Sequence, residues 1–192
     1  KKKNSILILS KLDETKNSDD PHFWLDPVLM KEAANIVYLK LIKLNPERDV
    51  EISKNYERLI EDLDNLDVLY KNNLSACESK TFITSHDAFG YLAKRYGIKQ
   101  ESIAGFSPEN EPSGARLSQL SKLAKSENVK VIFSEDLVSD KLSKALAKEV
   151  GIKTETLNAI EFLTDKNIKN GDDYISLMAE NLLKFKSALA CP

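Results

Sequence analysis

Two histidines and one glutamate are the residues of this chain whose types could together form a metal site. His22 and His86 are its only histidines, and each lies at the boundary of a polar loop rather than on an apolar helical face. Glu161 follows a predicted strand near residues 152–157. Imidazoles and a carboxylate suit zinc or another transition-metal ion. Spacing alone supports the site weakly, since no short interval such as His-Glu-x-x-His occurs.

Each of the three residues also has an ordinary structural interpretation. His86 could cap a helix or make one buried hydrogen bond, His22 could fix a loop, and Glu161 could be a surface carboxylate. Position favours the site, because His86 follows the β-rich run 81–84 and Glu161 follows the strand near 152–157. In a parallel sheet the carboxyl ends of the strands share one edge, where ligands bind.

From residue 80 onward the pattern alternates between short strands and helices. This alternation predicts an α/β fold, a parallel sheet with flanking helices and right-handed crossovers. The predicted strands lie near 80–85, 100–104, 129–134 and 152–157, and the predicted helices near 87–96, 114–126, 139–150 and 172–188.

Two helices are predicted before the sheet. Asp26 is a good N-cap and Pro27 suits the first helical position, so a helix begins there and ends near Asn45. A longer helix follows from about Glu47 to Leu74, and its opposite face is charged, as expected of a solvated surface. Its apolar stripe recurs at steps of three or four residues: Ile52, Tyr56, Leu59, Ile60, Leu63, Leu66, Tyr70 and Leu74.

Composition excludes several classes of protein. Of 192 residues, 28 are basic and 30 acidic, and this balance argues against a nucleic-acid surface. No apolar run is long enough to span a bilayer, and no glycine-rich phosphate loop is present, so nucleotide chemistry is not expected. The chain starts at Lys1 without an initiator Met or a signal-peptide pattern, which indicates a processed, cut or tagged product. The apolar run 6–9 is interpreted as a strand that ends a larger preceding unit.

Four segments in order carry a resemblance to a known family. They read DPHFWLDP (20–27), SHDAFGY (85–91), GFSPENEPS (105–113) and IFSE (132–135). In these segments the chain resembles the zinc- and manganese-binding solute-binding proteins of bacterial ABC importers, the cluster A-I or ZnuA-like family. The resemblance runs from about residue 20 to the C-terminus.

The resemblance implies two α/β lobes joined by one long rigid helix, with the metal held between the lobes. Residues 1–26 would then be the tail of an N-terminal lobe with a metal-ligand loop, 27–76 the first helix and the long linking helix, and 77–192 the C-terminal α/β lobe. The family takes a further histidine from its N-terminal lobe, and this chain has no third histidine. Most of that lobe is therefore expected to be missing, or one ligand to be lost, which would weaken binding or leave a position open to water.

The ligands implied by the resemblance are His22, His86 and Glu161, with Asp165 as a fallback if the last loop is shifted. Zinc is favoured over manganese, because the manganese members carry an acid at the position of His86 and carboxylates suit manganese better.

Two further carboxylates are expected to support the site without binding the metal. Glu135 ends a strand at the edge shared with His86 and could accept the second N–H of an imidazole. Asp87 is expected in the first turn of a helix, where the dipole favours a carboxylate.

The implied function is the solute-binding component of a high-affinity ABC importer, which delivers zinc to a membrane permease and is not an enzyme. We expect a monomer in the periplasm or outside the cell, anchored to the membrane as a lipoprotein in a Gram-positive host. Two alternatives stay open. One is a zinc hydrolase in which Glu111 or Glu135 acts as general base, and the other is an adhesin-like surface protein without a working site.

Cys77 and Cys191 are predicted to form a disulfide, which fits work outside the cytoplasm. Neither has the CxxC spacing of a zinc site or a histidine beside it in sequence. The last helix should bring Cys191 to the layer that Cys77 enters. Two unrelated buried thiols are the alternative, since a disulfide needs a specific Cα separation.

Overall fold

The computed structural model describes residues 8–16, 18–107, 109, 111–136 and 139–192. Within them, four strands form one parallel sheet in the order β2-β1-β3-β4. The strands are β1 (Thr81–Thr84), β2 (Lys99–Ser102), β3 (Val131–Glu135) and β4 (Lys153–Leu157). The predicted α/β class with a parallel sheet and flanking helices is confirmed.

Seven α-helices lie in the described residues. They are α1 (Pro27–Leu44), α2 (Asp49–Leu74), α3 (Gly90–Tyr96), α4 (Gly114–Ser126), α5 (Lys141–Val150), α6 (Asp165–Asn170) and α7 (Tyr174–Ala188). A 3-10 turn, Pro46–Arg48, precedes α2. None of these helices is both long and apolar enough to cross a membrane.

Three predictions of local structure differ from the fold. Residues 6 and 7 lie outside the described residues and Leu9 begins a 3-10 turn, so the described part of the run 6–9 is not a strand. Helix α6 was not predicted, although Thr164 and Asn167 form a capping box at its start. Helix α3 begins at Gly90 instead of near residue 87. The reason is that Phe89 is fully buried and the Asp87 N–H donates to the Gly105 carbonyl, which holds the chain in a bend.

The sheet separates two hydrophobic cores, because successive side chains of a strand point to opposite faces. Phe82 and Phe133 face the core shared with α2, α3 and α7, whereas Ile83 and Ile132 face the core shared with α4 and α5. Phe185 of α7 packs edge-on against Phe82, with ring centroids 4.9 Å apart. Helices on both faces keep the strands in place, so the carboxyl ends of the strands form a rigid edge.

The strand order places a switch point between β1 and β3. From β1 the chain crosses to β2 on one side, and it then crosses back to β3 on the other side. In open α/β sheets the crevice outside the carboxyl ends of such strands binds ligands. His86 follows β1 and Glu135 ends β3, so both lie at this crevice.

The segment that carries His22 is pinned between α1 and α3. Asp26 caps α1 by accepting hydrogen bonds from the N–H groups of Val28 and Leu29. Nε of Arg95 on α3 donates to the same carboxylate at 2.7 Å. The Tyr91 hydroxyl donates to the Asp20 carbonyl at 3.1 Å. His22 is therefore held against the sheet, although helices α1 and α2 separate it from β1 in the sequence.

The structure forms the predicted disulfide between Cys77 and Cys191, across a sequence separation of 114 residues. The backbone next to it is paired as well, since the N–H groups of Glu78 and Ser79 donate to the carbonyls of Ala190 and Leu189. The disulfide therefore ties the end of α2 to the end of α7.

We predict that replacing both cysteines by serine lowers the free energy of unfolding by about 2–4 kcal/mol, because the unfolded chain loses a long closed loop. The folded state should survive, since the adjacent backbone bonds remain. Urea unfolding of the oxidised parent and the double variant measures the difference. Two free thiols in the unfolded, unreduced parent would contradict the disulfide.

Candidate metal centre

Three side-chain atoms converge at the carboxyl edge of the sheet. Nε2 of His22 lies 3.3 Å from Oε1 of Glu161 and 3.4 Å from Nε2 of His86. The separation between Nε2 of His86 and Oε1 of Glu161 is 3.8 Å. His22 and His86 are buried, and the Glu161 side chain is one-quarter exposed. Among the described residues, this is the group of His, Cys, Asp or Glu side chains whose geometry could hold an ion.

The three separations suit a zinc ion. A point equidistant from three atoms spaced at 3.3, 3.4 and 3.8 Å lies about 2.0 Å from each, and Zn–N and Zn–O bonds are about 2.0–2.2 Å long. The three atoms are therefore already at the separations that bonds to one ion require.

Asp20 orients the first imidazole. Its Oδ1 lies 2.7 Å from Nδ1 of His22 and also accepts the His22 backbone N–H at 2.9 Å. A Cβ at Gly90 would lie 3.2 Å from the other carboxylate oxygen of Asp20, so the glycine leaves room for this side chain. The carboxylate therefore fixes both the ring and the backbone of His22.

Glu135 has the same relation to the second imidazole. Its Oε2 lies 2.5 Å from Nδ1 of His86, and its Oε1 accepts hydrogen bonds from the Ser85 hydroxyl and, at 3.3 Å, from the His86 backbone N–H. The structure thus places Glu135 where the sequence predicted it, at the last residue of β3.

These two carboxylates determine the tautomer of the imidazoles. A carboxylate oxygen can only accept hydrogen bonds, so the hydrogen bond from His22 to Asp20 assigns the neutral form of that ring as Nδ1–H. The 2.5 Å contact between Glu135 and Nδ1 of His86 favours the same tautomer in the second ring. Nε2 of His22 and Nε2 of His86 are then both acceptors, and each faces the Glu161 carboxylate, a third acceptor. Such a cluster is unfavourable until a cation or a proton enters it.

The charges around His86 also change its proton affinity. Burial lowers the pKa of His86, but the contact with Glu135 and the charges of Glu135, Glu161 and Asp87 outweigh it, so the pKa is raised. The pKa of Asp87 is raised by burial first and by the charge of Asp20 second, against the opposite effects of His22, His86 and Arg116.

Two of the predicted residues lie differently from their expected positions. Asp87 is not in the first turn of a helix, because α3 begins three residues later. It lies half-buried in the bend between β1 and α3, where the charges of both histidines act on its pKa. Asp165, the fallback ligand, is the first residue of α6 and is not part of the three-residue cluster.

Sequence reasoning missed Asp20 and Trp24, although both lie in the DPHFWLDP segment. Nε1 of Trp24 donates to the Ala159 carbonyl at 2.9 Å, and the Trp24 ring meets the His22 ring edge-on at 5.2 Å. Trp24 therefore joins the loop of His22 to the loop of Glu161. The available signal was the position of Asp20 two residues before His22, which is typical of a local turn that accepts a backbone N–H.

Comparison with known proteins gives a consistent result. The family model described as zinc-uptake complex component A, periplasmic (ZnuA) matches residues 2–188. The high-affinity zinc uptake system protein ZnuA of Bacillus subtilis is 44% identical over 170 residues, which cover 88% of this chain and 53% of that protein. The chain thus spans about half the length of this relative.

Solved structures of similar proteins agree with the match to this family. The laminin-binding protein of Streptococcus agalactiae, described as bifunctional with adhesin and metal-transporting activity, superposes with a TM-score of 0.82 at 38% identity, over 88% of this chain and 65% of that one. The Zn(II)-bound ZnuA-like domain of Streptococcus pneumoniae AdcA gives a TM-score of 0.75 at 40% identity, over 88% and 64% of the two chains.

The assigned tautomers give a prediction that needs no metal. In metal-free protein at a pH high enough to deprotonate both rings, nitrogen-15 spectra should show His22 and His86 protonated at Nδ1 and unprotonated at Nε2. The Asp20→Ala variant should lose this preference at His22 but keep it at His86, which serves as the internal control. A parent protein with the proton on Nε2 of either ring would contradict the assignment.

Proposed function

Because the chain belongs to the family of periplasmic zinc-uptake component A, we propose that it binds zinc as cargo through His22, His86 and Glu161. The observation that carries the proposal is the spacing of three acceptor atoms around a point about 2.0 Å from each, the length of a bond to zinc. Each imidazole is oriented by a carboxylate, as is usual for histidines that bind zinc.

Zinc is the preferred ion within this proposal. Two neutral imidazoles and one carboxylate make a set in which nitrogen outnumbers oxygen, and imidazole suits zinc whereas manganese favours oxygen ligands. The names of the relatives agree, since the Bacillus subtilis protein is a zinc uptake protein and the Streptococcus pneumoniae domain was solved with Zn(II) bound.

The role proposed for the chain is delivery of the ion to the membrane permease of an ABC importer, as a monomer outside the cytoplasm. Membrane anchoring in a Gram-positive host is part of the proposal. The Streptococcus pneumoniae relative AdcA, 41% identical over 167 residues, is described as a zinc-binding lipoprotein. The disulfide supports an oxidising compartment.

The alternative of a zinc hydrolase finds no support in the site. Glu135, a candidate general base, is already in contact with Nδ1 of His86, the Ser85 hydroxyl and the His86 backbone N–H. These contacts direct it away from the Nε2 side of the ring, where a metal-bound water would lie. Glu111 is exposed and is not part of the cluster. The proposal is therefore binding without turnover.

The adhesin alternative has one observation in its favour, the similarity to the laminin-binding protein of Streptococcus agalactiae. That protein is described as having both activities, so an adhesive surface would be compatible with a zinc site.

We predict that His86→Ala and Glu161→Ala each lower the zinc affinity by more than about a hundredfold, because each removes one of three ligand atoms, whereas loss of an outer group costs about tenfold to a hundredfold. Calorimetry on the parent and the variants, with zinc as the only titrant, measures the change. Asp165→Asn is the matched control, since it neutralises a carboxylate four residues from Glu161 that lies outside the cluster. Unchanged affinity in His86→Ala would contradict the assignment, and turnover of ester or peptide substrates would contradict binding without catalysis.

We predict a smaller effect from the carboxylate behind His86. Glu135→Gln should weaken zinc binding by about tenfold to a hundredfold, because the ring loses the charge that orients it and raises its basicity. A change in the number of bound ions or a loss as large as that of His86→Ala would instead make Glu135 a direct ligand. X-ray absorption at the zinc edge distinguishes the two cases, since the nearest ligand shell should be the same in parent and variant.

A further inference from the structure

Asn181 lies deep in the protein and bonds to the backbone at the start of the Glu161 loop. Its side chain is fully buried on α7, whose other buried residues include Leu177 and Leu182. Oδ1 of Asn181 accepts the Asn158 N–H at 2.9 Å, and Nδ2 donates to the Asn158 carbonyl at 2.7 Å. Asn181 thus gives Asn158, the residue directly after β4, the two bonds that a neighbouring strand would supply.

Asn158 in turn restricts the loop that follows it. Its own Oδ1 accepts the Ile160 N–H at 2.7 Å. Ile160 has a φ of 55°, in the left-handed region that β-branched residues rarely adopt. A residue in this conformation persists only where its surroundings hold it. The next residue is Glu161, so the conformation at Ile160 sets the direction in which the carboxylate leaves the loop.

We propose that Asn181 is a positioning residue for Glu161. It fixes Asn158, which holds Ile160 in its left-handed conformation and directs the Glu161 carboxylate at the two imidazoles. The loop is closed from the other side by Trp24, which donates to the Ala159 carbonyl. This inference rests on the proposed function for its effect on zinc, but its effect on the loop is independent of any metal.

The buried amide needs such an explanation because α7 does not require it for packing. A leucine, which has the same branched arrangement of side-chain heavy atoms, would continue the apolar stripe of the helix and would not need a hydrogen-bond partner. Both polar atoms of Asn181 are instead used on one residue 23 positions earlier in the chain. The arrangement therefore serves the loop and not the helix.

The first test uses metal-free protein and measures amide hydrogen exchange at Ile160 by NMR. Asn181→Leu should exchange at least about tenfold faster there than the parent, because the bond from Asn158 is no longer held in place. Tyr70→Phe is the matched control, since it removes another buried hydrogen bond to α7, at the Met178 carbonyl, without touching the loop. Exchange at Ile160 that is unchanged in Asn181→Leu, or equally faster in Tyr70→Phe, would overturn the proposal.

The second test measures zinc affinity in a double-mutant cycle. Asn181→Leu should weaken binding about tenfold in the parent, as expected for an outer group, and should have no further effect in the Glu161→Ala background. Equal losses in both backgrounds would show that Asn181 acts elsewhere and would overturn the proposal. If Glu161→Ala alone leaves the affinity unchanged, the ligand set of the proposed function fails, and the exchange measurement decides the positioning role by itself.

A second variant covers the case in which Asn181→Leu does not fold. Asn158→Ala removes the bond to the Ile160 N–H but keeps both backbone bonds to Asn181, and it leaves the buried core unchanged. It should accelerate exchange at Ile160 and weaken zinc binding in the same direction. A fully protected Ile160 in Asn158→Ala would overturn the proposal as well.

Discussion

The contact between each imidazole Nδ1 and a carboxylate is the interaction on which the rest of the site depends. Asp20 and Glu135 hold the protons of the two rings on the side away from Glu161. Both Nε2 atoms are thereby left as acceptors and face a third acceptor at 3.3–3.8 Å. The free energy of folding compensates for the repulsion between these three acceptor atoms. A cation bound between them would relieve that repulsion. The site is thus preorganised for a positive charge before one arrives.

The α/β fold makes this arrangement possible because it supports the three proposed ligands from separate, rigid elements. His86 follows β1, Glu161 follows β4, and His22 lies in a turn capped onto α1 and held by α3. Glu135 reaches His86 because β3 is the neighbour of β1 across the switch point. Side chains on elements that are fixed by two hydrophobic cores are positioned more precisely than side chains on one mobile loop.

The parts of this structure that follow local rules could be predicted from the sequence, and those that depend on distant contacts could not. Glu135 was predictable beside His86 because Glu135 ends one strand and His86 follows another strand of the same parallel sheet. The start of α3 was not, because it depends on the burial of Phe89 against Phe82 and Phe185. The role of Asn181 could not be predicted either, since nothing in the neighbouring sequence indicates a partner 23 residues earlier.

In the proposed function, the three ligands from the described residues hold the ion without completing a tetrahedral zinc site. The point about 2.0 Å from each of the three atoms lies in their plane, so the described residues leave at least one coordination position of a bound zinc for water or for another protein group. Structural zinc sites are instead closed by four protein ligands. Of the three side chains here, Glu161 is the partly exposed one and is borne by a loop with a residue in a rare conformation. Under the proposed function, we therefore expect the Glu161 carboxylate to leave the ion first and the two buried imidazoles to hold it longest.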